Sequence, residues 1–354
     1  MPTSIEELTP KLNITIQNTR LSSKSNLEVI SATVSEDLDA PSMLALKLSN
    51  WDLIKSEVTA SNEKDLFNEG SAIKIQMGYP NQLETVFLGE ITGVEVDFAA
   101  DAEPTFLVSG HDFRHRLIRG HKTRSWKEIK DSDIVSQIAR EQKLLTEITD
   151  TKVIIDYVCQ SNQTDMEFLQ KRAKRLGYEL AMEGQTLCFR PPQNIQEKAL
   201  TLKKKDLVEF YSRSSTMQQV GVVEVRNWDI KQKKVVISRA SVGDENCKMN
   251  GKTSGPSAAK TAFGNATHVV FTESLSNSTE ADEIAKGLFN EMALTYVGGE
   301  GTCQGNPNIR AGKVIEINDV GNKFSGLYYV ISVKHDYSKK QGYKTKFTVR
   351  RNAT

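Results

Sequence analysis

The chain of 354 residues has four cysteines, Cys159, Cys188, Cys247 and Cys303, and no two are close enough for a C-x-x-C pair. This excludes a zinc framework and the dense crosslinking of a small secreted domain. The thiols are expected free, with Cys188 packing as a small apolar residue in the alternating run Thr186-Leu187-Cys188-Phe189. No apolar run approaches the ~20 residues of a membrane span. The N-terminus, MPTSIEELTPKL, has neither a basic n-region nor an apolar h-region. Cytoplasmic synthesis without insertion in a membrane is therefore expected. Net charge is also missing: the formal value is +1, so no global field steers the chain to nucleic acid or to anionic lipid.

Catalytic signatures are absent too. There is no G-x-S-x-G elbow and no H-E-x-x-H pair. Gly251-Lys252-Thr253 resembles the end of a phosphate-binding loop, but the glycine required five residues earlier is Asn246. His111, Asp112, His115 and His121 lie close together, yet Arg114, Arg116 and Arg119 crowd the same stretch and would repel a cation. The cluster Lys171, Arg172, Lys174, Arg175 sits on the polar side of a helix without the exposed aromatics of a nucleic-acid platform. No catalytic residue, metal ligand or cofactor site is assigned.

What is present is alternation. Leu12, Ile14 and Ile16, then Leu44, Leu46 and Leu48, then Ile73 and Ile75, and Ile91, Val94 and Val96 recur at near period two across residues 1–124. Such spacing predicts half-buried antiparallel strands, and their number a barrel or a sandwich. Turns are expected at 78–81 and 101–104. Over 125–195 the period changes to that of helices. Ser132 is a candidate cap for a helix carrying Ile134, Val135 and Ile138. Thr164 and Glu167 form a capping box ahead of Phe168, Leu169, Ala173 and Leu176, closed by Gly177. Two strands then complete a small α+β module. Strands return over 196–245, with a Lys-Gln-Lys-Lys turn between two of them. The stretch 246–270 has no apolar period and is expected to be a surface loop. The last segment, 271–354, holds one helix and a final β unit.

That final unit echoes an earlier one. Gly312 precedes Val314, Ile315 and Ile317 as Gly70 precedes Ile73 and Ile75. Phe324-Ser325-Gly326 parallels Phe87-Leu88-Gly89, and Lys346-Phe347-Thr348-Val349 parallels Thr105-Phe106-Leu107-Val108.

Three segments resemble the phage late control D family, the baseplate hub of contractile tails that is shared with the hub part of VgrG-type spikes. They are the helix-then-strand run with Phe168, Arg172, Ala173, Gly177 and Tyr178; the run Val225 to Asp229 around Trp228; and a C-terminal set. That set holds Gly305, Asn306, Pro307, Gly312, Gly326, Tyr329, His335 and Gly342. The resemblance implies a mainly β fold with α+β insertions: two barrel-like tube domains related by pseudo-symmetry, assembled as a homotrimeric hub. It implies a mechanical role in a phage tail or contractile injection particle, assembled in the cytoplasm. The hub would join a six-fold inner tube ring to a three-fold spike among other baseplate proteins, without enzymatic activity. Because the chain stops soon after its last strand, the spike is expected to be a separate polypeptide. Alternatives from other classes are a cell-wall (peptidoglycan) hydrolase of the tail tip and a glycan- or nucleic-acid-binding module.

Overall fold

The computed structural model describes residues 9–21, 28–49, 51–52, 57–58, 66–98, 103–195, 197–229, 233–271, 275 and 278–354. The stretch 1–8 and parts of the expected turns at 101–104 and 231–234 lie outside them.

Six strands form a first unit: β1 (Lys11–Ile16), β2 (Val29–Asp37), β3 (Met43–Ser49), β4 (Ala72–Tyr79), β5 (Gln82–Asp97) and β6 (Thr105–His111). Their alternation places Ile14, Val34, Leu46, Ile75 and Val108 on one face, where they close a single core with Phe67 and Phe106. The opposite pleats are mostly polar, with the apolar Met43, Leu88 and Leu107 among them.

An insertion follows: β7 (Lys122–Ile129), α1 (Asp131–Glu141), β8 (Leu145–Ile148), β9 (Ile155–Gln163), α2 (Asp165–Leu176), β10 (Glu179–Glu183) and β11 (Thr186–Arg190). Helix α2 starts on the capping box read from the sequence: Glu167 N donates to Thr164 Oγ1 at 3.2 Å, and Thr164 N to Glu167 Oε2 at 2.8 Å. It ends at Gly177, whose φ of 64° is the left-handed conformation glycine adopts most easily. Ser132 does not cap α1. The helix begins two residues earlier than a Ser132 cap would set, after Lys130, and the Ser132 hydroxyl turns instead toward Asp150 and Thr151.

The rest of the chain supplies β12 (Leu200–Lys203), β13 (Leu207–Ser214), β14 (Val222–Asp229), β15 (Lys234–Ser241), α3 (Gly255–Phe263), β16 (Thr267–Phe271), α4 (Ser278–Leu294), β17 (Val297–Gln304), β18 (Val314–Asn318), β19 (Gly326–Ser338) and β20 (Gly342–Arg351). Helix α3 corrects the loop expected over 246–270. Ser254 caps it by accepting from Ser257 N, Pro256 occupies its first turn, and alanines continue it. Its packed side is Gly255, Pro256, Ala258 and Ala259, so no large hydrophobic period marks it. The preceding Lys252 and Thr253 amides donate to the Thr354 carbonyl at 2.8 and 2.9 Å, so Gly251-Lys252-Thr253 holds the strand end at Thr354 and is not a phosphate loop.

Strands β12, β13, β17, β18, β19 and β20 form a second unit. In the first unit the spatial order is β1-β4-β5-β6-β3-β2; in the second it is β12-β18-β19-β20-β17-β13. Counted along the chain, both read first, fourth, fifth, sixth, third, second. The outermost pair differs: β1 runs antiparallel to β4, whereas β12 runs parallel to β18. The two units are not separate sheets. Strand β2 pairs with the C-terminal half of β19, from Ser332 opposite Asp37 to Ser338 opposite Ser31, and so makes one 13-stranded sheet. That half of β19 is available because β18 pairs only with Gly326 to Tyr329. Among the described residues the path is open, running from β13 to the short strand Thr19–Arg20 beyond β1.

Candidate assembly interface

The two units agree in irregularities as well as in order. A β-bulge interrupts β5 against β6 between Ile91 and Gly93, and another interrupts β19 against β20 between Val330 and Ser332. A second pair of bulges falls between Val29 and Ser31 of β2 and between Leu207 and Glu209 of β13. A bulge re-aims a strand at one defined residue, so coincident bulges fix a residue-by-residue equivalence. By that equivalence Gly70 matches Gly312 as the sequence echo has it, whereas the echoes over 87–89 and 105–108 are two residues out of step. An error of two preserves the inward and outward faces of a strand, so alternation alone cannot detect it.

The core compensates for sequence differences between the units. Across β2, β3 and β6 the first unit stacks Ala32, Leu46 and Val108; the second, across β13, β17 and β20, stacks Phe210, Gly301 and Phe347. The large residue sits in the middle of one set and on the flanks of the other.

A bracket of residues locks the units at the β2–β19 seam. The Arg310 guanidinium lies 2.5 Å from Glu36 and donates to the Thr85 carbonyl at 2.5 Å, while Ala311 N donates to Glu36 Oε2 at 3.1 Å. Burial raises the Glu36 carboxyl, and the charge of Arg310 opposes that rise. Beside it, Arg114 is 2% exposed and bonds Asp112 together with the carbonyls of Asp37, Leu38 and Leu180, tying the insertion to the first unit. Sequence reading missed Glu36 and Arg310, and took Arg114 only as a charge that would repel a cation. Their signal was the presence of charge inside alternating or turn segments, and this resembles ordinary surface charge.

Several of the C-terminal signature residues lie beside the same seam, and the others brace the second unit. The Gly305 backbone lies flat on Tyr343; a Cβ there would sit 2.0 Å from the ring. Asn306 N donates to Thr345 Oγ1 at 2.9 Å, and its side chain accepts from Asn308 N at 3.0 Å. Pro307 is buried beside them. His335 is fully buried, with Nδ1 2.8 Å from Tyr343 Oη and 3.2 Å from Thr345 Oγ1. Burial, aided by the Arg310 charge, drives its pKa down to about 3. Gly312 and Gly342 hold φ of 79° and 72° in turns. Gly326, with φ of 140°, leaves room for the Arg351 guanidinium. Tyr329 Oη donates to Glu179 Oε2 at 2.5 Å and so joins the second unit to the insertion.

The remaining signature residues lie in the insertion and, for Trp228, on β14. Phe168 stacks on Trp126 at 5.4 Å, Tyr178 packs on Phe189, and Ala173 is in the core. Arg172 pairs with Asp131 at 2.5 Å and Arg175 with Glu280 at 2.8 Å, so half of that basic cluster neutralises buried carboxylates. Gly177 touches Gly287 of α4; a Cβ on it would meet the Gly287 Cα at 2.5 Å. Trp228 stands apart, 54% exposed on β14 opposite Val235. His115 and Arg116 share Glu90, and His111 bonds Thr92. Among the described residues no group of three or more His, Cys, Asp or Glu side chains could hold a metal, and no helix is long and apolar enough to cross a membrane.

The joined sheet has a polar face at the seam. A hollow of about 610 Å³ spans the seam, lined on that face by Ser35, Tyr211, Glu300, Thr302, Lys334 and Lys346. Small hydroxyls and charges of both signs form a wetted wall.

This architecture is shared with solved tail proteins. The 43 kDa tail protein of prophage MuSo2 from Shewanella oneidensis is 12% identical, with 97% of this chain and 98% of that one matched at a TM-score of 0.68. The tail protein from Neisseria meningitidis MC58 is 10% identical, with 97% of each chain matched at 0.69. The E. coli c3393 protein, a type VI secretion component similar in structure to the T4 tail proteins gp27 and gp5, is 14% identical; the match covers 96% of this chain and 77% of that one at 0.62. At these identities the likeness establishes the fold, which is that of phage tail and injection-system proteins. No curated protein sequence matches the chain. The family model described as the Alg8 N-terminal domain matches residues 6–339, and the chain belongs to that family.

Proposed function

We propose that the protein is a structural baseplate hub of a contractile phage tail or tail-like injection system. Three copies form a pseudo-six-fold ring that adapts a six-fold inner tube above to a three-fold spike below, within a baseplate assembled in the cytoplasm. The observation that carries this reading is the duplicated six-strand unit with matched bulges. A cyclic oligomer offers a partner one copy of each surface per subunit. A plain trimer would leave half the contacts of a hexameric ring unmatched; two equivalent units per chain supply six similar edges. The polar hollow at the seam suits the wall of a channel, and ion pairs and packing account for the buried charges of the seam without any catalytic role.

Mass photometry and cryo-electron microscopy of the purified chain, alone and with its tube protein, test the proposal. The expected result is a three-copy ring with six similar lobes and an open lumen. Monomer alone at micromolar concentration, with tube and spike proteins present, overturns it. Lysis of peptidoglycan by the purified chain would overturn the non-enzymatic assignment.

A further inference from the structure

Equivalence between the units has an unsatisfied remainder. Within the chain, β2 covers the C-terminal half of β19. The equivalent of β2 is β13 and the equivalent of β19 is β5, so a matching contact would join β13 to the C-terminal half of β5. That contact is not made. Among the described residues β13 is the end of the sheet path, and β4 pairs with β5 only up to Glu90, leaving Gly93–Asp97 without a neighbour on that side. The two free edges are the opposite ends of the run β13-β17-β20-β19-β2-β3-β6-β5.

We propose that these edges pair with each other between copies: β13 of one molecule lies antiparallel against Gly93–Asp97 of the next. The register follows from the bulges. Lys334 faces Ser35 inside the chain. The residue equivalent to Lys334, counted from its bulge, is Glu95, and the residue equivalent to Ser35 is Arg213. Glu95 of one copy therefore faces Arg213 of the next, with Val94 opposite Ser214 and Asp97 opposite Tyr211. Glu95 and Arg213 both belong to the polar face of the sheet. Opposite charges directly across two strands stabilise a pair, and this one selects both register and partner. The edge is otherwise a liability. Val208 is 72% and Tyr211 65% exposed on β13, and unpaired strands of this kind template aggregation.

The pairing deepens the hub reading and rests on it only for the number of copies. The test uses the full chain with exposed Cys159 replaced by serine and the pair Glu95→Cys and Arg213→Cys introduced. Mild oxidation is expected to give a non-reducing ladder that ends at three copies, while either cysteine alone gives none. Glu95→Arg or Arg213→Glu alone should weaken assembly about tenfold, and the two reversals combined should restore it. Both side chains lie on the wet face, so unchanged thermal melts of the single variants separate lost pairing from lost folding. A native three-copy ring whose cysteine pair does not crosslink, or a double reversal that fails to rescue, overturns the pairing and leaves the hub reading intact. A ladder continuing past three supports the pairing and removes the three-copy hub.

Discussion

Gly70 and Gly312 hold the same place in the two units, down to their hydrogen bonds. Their φ values are 86° and 79°. Gly70 N donates to the Ile91 carbonyl at 2.7 Å and Gly312 N to the Val330 carbonyl at 2.9 Å. The next residues also match: Ile91 N donates to Ser71 O and Val330 N to Lys313 O, both at 2.9 Å. Each glycine thus sets the turn that delivers the fourth strand of its unit to the fifth, just ahead of the bulge.

A Cβ at Gly70 would meet nothing within 4 Å, and at Gly312 only Leu38 at 3.4 Å and Tyr329 Oη at 3.7 Å. Substitution cost at both sites is therefore mainly conformational. Gly70→Ala and Gly312→Ala should each lower unfolding free energy by ~1–2 kcal/mol, read from urea midpoints at constant m. The asparagine variants should lose less. A cost at one site but not the other would contradict their equivalence.

Gly301 makes the opposite prediction. Its Cβ would stand 2.5 Å from Phe347 Cζ and 3.1 Å from Phe210, inside the packed core. Gly301→Ala should cost about 1–3 kcal/mol by overpacking. Gly298→Ala, on the same strand with open space around the Cβ, should be near neutral. Adding Phe347→Leu to Gly301→Ala should recover part of the loss, which calorimetry can check.

Much of the fold was legible in the sequence, for physical reasons that differ by element. Ile73 and Ile75, and Ile315 and Ile317, alternate because they face a packed core, and the Gly70–Gly312 echo survives because positive φ tolerates few other residues. The α2 capping box and Gly177 were readable because caps use few residue types. Helix α3 was not, since its alanines carry no amphipathic period. The seam was also hidden. Glu36 and Arg310 are far apart in sequence, and nothing local distinguishes a buried ion pair from two surface charges. Nor did composition reveal that the two units share one sheet, because the β2–β19 pairing depends on where β18 stops.

His335 should make stability depend on pH. Its folded pKa of about 3 is below the ordinary value of 6.5, so the unfolded chain takes up the proton first as pH falls. Stability from this residue is complete above about 6.5 and declines toward 3, at ~1.4 kcal/mol per unit within that window. Burial and the Arg310 charge lower the value, and the Ile309 backbone opposes them only in part, so the sign holds. His335→Asn should be less stable at pH 7.5, yet show a shallower loss between pH 6.5 and 4.5. Parallel pH profiles for the two proteins would sink the assignment.

Glu179 should act in the opposite direction. Burial raises its carboxyl from 4.5 to about 7, only partly offset by the Tyr329 hydroxyl and by Arg190, whose Nε is 3.5 Å away. The folded state therefore holds the proton more tightly, and stability falls as pH rises from 4.5 through 7. Glutamine keeps an acceptor for Tyr329 and carries no charge to desolvate. Glu179→Gln should be close to native at pH 5 and more stable by ~1–3 kcal/mol at pH 8, with the native downward slope between them removed. Arg190 also pairs with Glu147 and Glu183, so it keeps carboxylate partners in the variant. A variant less stable than native at pH 8 would mean that the Arg190–Glu179 attraction outweighs burial, and the native contribution would then grow with pH instead of falling.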